Sequence, residues 1–71
     1  MILTGIISVK LKDGRIIKGY YTKEARDVQV QCYDSEFFGT ESIDTTDYSV
    51  EADALWCLRK LIRNKGGKID E

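Results

Sequence analysis

The sequence predicts an α+β fold: an antiparallel β-meander of three to four strands with one C-terminal α-helix packed on one face. Three observations predict it. Apolar and polar residues alternate along residues 2–12 and again along 28–33. Turn chemistry at Asp13-Gly14 and a polar connection at 24–27 separate these runs. From Ser49 to Gly66 the apolar spacing becomes helical. Strands with one apolar face, followed by a helix with one apolar stripe, bury both most economically as a single sheet covered by a single helix.

In the first run, Leu3, Ile7, Val9 and Leu11 share a face, and Ser8, Lys10 and Lys12 share the other, because strand side chains alternate. Asp13-Gly14 is a hairpin signal, and residues 15–23 form the second strand. A two-residue turn pairs Leu11 with Ile16 and Val9 with Lys18. A three-residue turn with a glycine bulge pairs Val9 with Ile17 and Gly5 with Tyr21. The second register leaves fewer charges on the apolar face and is the one expected; a slip of one residue reverses every side chain. In the third strand, Val28, Val30 and Cys32 point to the core. Asp34-Ser35 forms a turn. Residues 36–43 are a candidate fourth strand, with Phe38 as its core residue and Gly39 as a point of bulging.

Ser49 is placed to cap the helix, since its hydroxyl can accept from a free backbone N–H of the first turn. Glu51 and Asp53 suit the positive end of the helix dipole, and the cations Arg59 to Lys65 suit the negative end. Gly66 supplies the left-handed residue that ends helices. Ala54, Leu55, Leu58, Leu61 and Ile62 fall on one face. The whole is one domain, 1–71, with the sheet over 2–43, the helix over 50–65 and a frayed tail over 67–71, where Ile69 can add a short edge contact.

Composition excludes several functions. The 71-residue chain has no histidine and only two cysteines, which argues against a metal site or a cofactor and leaves no common general base for an enzyme. Neither cysteine has a partner base, and no glycine-rich phosphate loop occurs. No signal peptide or membrane-length apolar run is present, so a cytoplasmic protein with reduced thiols is expected. Acidic carboxylate pairs such as Asp34/Glu36 and Asp44/Asp47 sit in turn-like sequence, where solvation is the ordinary outcome.

Binding has more support. Residues 1–26 carry six basic and two acidic side chains, 27–53 carry eight acidic and no basic, and 54–71 carry five basic and two acidic. These blocks either pair with one another or set the orientation of a partner. Trp56 falls opposite the apolar stripe among Ala52, Arg59, Lys60 and Arg63, and Trp and Arg are the residue types most enriched at binding hot spots. The first expectation is therefore a non-enzymatic interaction or assembly module, binding itself or a protein partner through this outer helix face. The alternative is a nucleic-acid-binding module built from Lys10, Lys12, Arg15, Lys18, Lys23 and Arg26 with Tyr20 and Tyr21, cations for phosphates and rings for bases. A third reading makes the acidic stretch 34–53 a mimic of nucleic acid toward a basic groove.

The segment Val9-Lys10-Leu11-Lys12-Asp13-Gly14-Arg15, with Lys18-Gly19-Tyr20 after it, resembles the first strands of Sm-like RNA-binding proteins. The likeness stops there: the helix is C-terminal, the Asp and Asn pattern is missing after Gly19, and no later Arg-Gly follows. Turn chemistry alone produces such hairpins, and no Sm function is carried over.

Overall fold

The computed structural model describes residues 2–45 and 49–70. Four strands, β1 (Ile2–Lys10), β2 (Ile16–Glu24), β3 (Asp27–Cys32) and β4 (Gly39–Asp44), form one antiparallel sheet in the order β1-β2-β3-β4, followed by α1 (Val50–Asn64). The helix lies across one face, mainly over β3, with β4 and β1 to either side.

The β1–β2 hairpin adopts the expected register, with Val9 opposite Ile17 and Gly5 opposite Tyr21. Lys12, Asp13 and Gly14 form its loop. Leu11 N–H donates to Arg15 C=O at 2.8 Å, Gly14 N–H donates to Leu11 C=O at 3.0 Å, and Gly14 takes φ 93°. That is the three-residue loop whose left-handed third position favours glycine. Ala25 and Arg26 make the next turn, with Ala25 held at φ 54°.

Buried side chains from both layers meet in one core: Ile7, Val9, Leu11, Ile17, Val28, Val30, Cys32 and Phe37 from the sheet side, and Ala54, Cys57, Leu58, Leu61 and Ile62 from the helix. The helix approaches closely because Gly19 has no side chain; a Cβ there would lie 2.9 Å from Ile7 Cδ1 and 3.2 Å from Leu58 Cδ1. Ser49 Oγ accepts from Ala52 N–H at 3.3 Å and caps the helix as its sequence implies. The carboxylate of Asp53 is buried, and Thr45 donates its hydroxyl to it at 3.2 Å, tying the chain before the helix to its first turn.

Several expectations are corrected. Phe38 is 58% exposed and Phe37 fills the core instead. The turn is longer than Asp34-Ser35: Phe37 N–H donates to Asp34 C=O and Glu36 N–H donates to the Asp34 carboxylate. The fourth strand therefore starts only at Gly39, and Phe37, held in the turn, escapes strand alternation and swings under the helix end. Leu3 is 44% exposed because it lies at the outer end of the edge strand β1, away from the buried Ile7 and Val9. The tail is not frayed through Asp70. Ile69 is buried and bridges Leu11, Lys12 N–H donates to Lys68 C=O, and Asp70 N–H donates to Lys10 C=O, both at 2.9 Å. The helix itself ends at Asn64, with Lys65 as its C-cap and Gly66 at φ 81°.

Candidate functional site

Trp56 lies on the outer helix face at 47% exposure, with Ala52, Arg59, Lys60 and Arg63 exposed around it. Lys60 Nζ sits 5.2 Å from the indole centroid, a cation–π contact, and 3.7 Å from Glu41 on β4. The grouping is as expected, but it holds only one large apolar side chain.

The basic hairpin is divided by the pleat. Tyr20 and Lys18 face away from the helix, whereas Tyr21 faces toward it. The Tyr21 ring lies across Gly5, where a Cβ would come within 2.5 Å of it. Arg15 is bound at the turn, its Nε 2.8 Å from Asp13 and its Nη1 2.6 Å from Glu36. These partners hold its pKa above the usual arginine value, Glu36 first, and the Arg15 backbone N–H foremost holds Asp13 below the usual carboxylate value. Lys23 donates to Ala25 C=O at 2.8 Å, and Arg26 reaches Thr45 C=O at 3.5 Å. Lys10 remains exposed one step diagonally from Lys18, whereas Lys12, also exposed, lies in the hairpin loop beside Lys68 of the tail. The eight residues thus do not form one surface: Tyr21 and Lys23 are on the helix side, and Arg15 is engaged. Each basic block does meet the acidic one, through Arg15–Glu36 and Lys60–Glu41.

The sheet face away from the helix carries what sequence reasoning missed. Ile2, Ile6, Ile16, Tyr20, Tyr33 and Phe38 are exposed there. Ile6 stands opposite Tyr20. Tyr20 meets Tyr33 edge-on with centroids 5.5 Å apart, and Tyr33 meets Phe38 at 6.3 Å. Ile16, Lys18, Tyr20, Tyr33 and Asp34 line a shallow depression of about 220 Å³. One aromatic row thus runs from β2 past the end of β3 to the start of β4, with isoleucines on the β1 side. The signal was present as apolar doublets: Ile6-Ile7, Ile16-Ile17, Tyr20-Tyr21 and Phe37-Phe38. An alternating strand must turn one member of a doublet outward.

The thiols suit packing rather than chemistry. Cys32 and Cys57 are free and buried. Burial, followed by the nearby Glu41 and Asp53 charges, pushes the Cys57 thiol up to about 11. Among the described residues, no three His, Cys, Asp or Glu side chains gather to hold a metal ion, and no helix is long and apolar enough to cross a membrane.

The fold and this surface define a four-stranded meander with one helix and an uncovered apolar sheet face. No protein-family model matches the chain, and no curated protein or solved structure matches it. The likeness of the first hairpin to Sm-like strands therefore has no wider match behind it.

Proposed function

We propose that the protein is a non-enzymatic interaction and assembly module whose contact surface is the open face of the sheet rather than the outer face of the helix. One observation carries the reading. Among the described residues, eight large apolar side chains are exposed; six of these lie on the open face and one, Trp56, on the outer helix face. Contiguous exposed apolar surface rimmed by polar residues marks interaction sites, whereas single exposed apolar residues are ordinary. The row from Ile6 through Tyr20 and Tyr33 to Phe38 is bordered by Ser8, Lys10 and Lys18 at one end and by Thr22, Gln31 and Thr40 along its side. The two buried free thiols suit a reducing compartment, in keeping with a cytoplasmic location.

The test compares wild type, the double variant Tyr33→Lys/Phe38→Lys and Trp56→Ala in capture of a protein partner. Capture is expected to disappear in the double variant and survive in Trp56→Ala. Capture indifferent to the double variant overturns the reading.

A second reading rests on the aromatic row beside Lys10 and Lys18: stacking of single-stranded nucleic acid on the open face. The three isoleucines on the same face favour a protein surface instead. Binding of single-stranded RNA or DNA that weakens steeply with salt would support the nucleic-acid reading; no binding at low salt removes it.

A further inference from the structure

We infer that β1 is a self-pairing edge: two copies of this chain join by antiparallel β1–β1 contact about a two-fold axis, extending both sheets into one. The inference rests on the interaction-module reading and adds to it a second contact, at the sheet edge beside the open face.

The hydrogen-bonding direction of β1 is set by its neighbours. Lys10 C=O and Lys12 N–H bond to the tail on the outer side, while Leu11 N–H bonds inward to Arg15. Alternation along the strand then turns the N–H and C=O groups of Ile2, Thr4, Ile6 and Ser8 to the free edge. The tail occupies only the Lys10–Lys12 end, so the edge from Ile2 to Val9 has no strand beside it among the described residues.

Exposed edges are normally protected by charge, proline, bulges or shortness. β4 has such protection: it is six residues long and carries Glu41 and Asp44. β1 has none of these over residues 2–9. ILTGIISV contains no charge and no proline, and its pairing with β2 runs without a bulge from Ile2–Glu24 to Lys10–Ile16. Both faces of this edge expose apolar side chains, Ile2 and Ile6 outward and Leu3 toward the helix side.

The edge is also complementary to itself. Matching hydrogen-bonding groups and matching faces impose the same condition, that even-numbered residues pair with even-numbered ones. A two-fold axis near Gly5 satisfies both. It sets Thr4 opposite Ile6 of the second copy and joins the two open faces through Ile2 and Ile6. It also brings Leu3 beside Ile7 of the other copy, in place of solvent. An isologous contact of this kind closes at two copies. Pairing of β1 with β4 would instead propagate head to tail and would set the uncharged edge against Glu41.

The test is sedimentation of the full chain together with amide exchange. Wild type is expected to be a dimer, with the Thr4, Ile6 and Ser8 amides protected at high concentration and exposed on dilution. The Leu3, Gly5, Ile7 and Val9 amides, which face β2, stay protected throughout. Thr4→Pro removes an edge N–H that the monomer does not use. Because each substitution acts twice in an isologous contact, the dimer is expected to weaken about thirtyfold or more, with an unchanged circular dichroism spectrum. Ile6→Lys, which places a charge at the edge, is expected to give a monomer as well. A monomeric wild type overturns the inference, as does a dimer whose Thr4, Ile6 and Ser8 amides exchange freely. If the wild type is monomeric yet captures a partner that Tyr33→Lys/Phe38→Lys loses, only the self-pairing fails and the open-face reading stands.

Discussion

Adjacent phenylalanines separate the core from the contact surface, and replacing each in turn tests that division. Phe37 is fully buried beneath the helix end, where a Cβ on Gly67 would lie 2.7 Å from its ring. Truncating a buried Phe to Ala costs about 3–5 kcal/mol, from lost transfer energy and the cavity left behind. Phe38 keeps 58% of its surface in solvent. Full burial of such a side chain is worth about 1.5–3 kcal/mol, so the covered fraction corresponds to about 1 kcal/mol. A chain of 71 residues has a total stability of about 4–11 kcal/mol. Phe37→Ala is therefore expected to lose a third or more of it, and to unfold outright at the lower end of that range. Phe38→Ala should stay folded. Urea denaturation followed by circular dichroism gives both midpoints, and partner capture by Phe38→Ala gives the functional counterpart. If Phe38→Ala is the costlier substitution, the strand parity described here is wrong, and the open face with it.

Other consequences are independent of that pair. Ala25→Gly should stabilise the protein by about 1 kcal/mol, because glycine adopts the φ of 54° without the steric cost that alanine carries; an unchanged or lower urea midpoint counts against the turn geometry. Cys57 should resist thiol reagents until the protein unfolds. Its folded pKa of about 11 lies above the ordinary 9.0. As pH rises past 9 the unfolded thiol releases its proton while the folded one keeps it, so stability falls by up to about 1.4 kcal/mol per pH unit until the folded group also ionises. Urea midpoints measured from pH 8 to 10.5 should fall more steeply for wild type than for Cys57→Ala, and parallel slopes would contradict the assignment.

Where local chemistry and periodicity coincide, the fold is legible from sequence. Asp13-Gly14 and the charge pattern of the flanking strands select the observed register, and Ser49 marks the helix start. Residues whose position depends on distant packing are not so legible. Phe37 and Phe38 are equivalent to any local rule, and which one is buried depends on how many residues the Asp34 turn consumes. Leu3 matches the core pattern but lies where the helix does not reach. Ile69, in polar tail sequence, is buried only because the tail returns to the β1 edge. The site was partly legible. Trp56 and its cationic neighbours were placed correctly on the outer helix face, since helical periodicity is local. The open face was not legible because its apolar members lie on separate strands and turns and gather only once four strands are in register. Tyr20 and Tyr21 illustrate the cost: adjacent in sequence, they serve opposite faces of the sheet.

The most direct measurement of which face makes contact is an NMR footprint of the partner-bound protein with a soluble paramagnetic agent. The open-face reading expects signals of Ile6, Ile16, Tyr33 and Phe38 to be shielded from the agent while the Trp56 indole N–H is fully broadened. A shielded indole with a broadened sheet face would contradict it and return the contact to the helix.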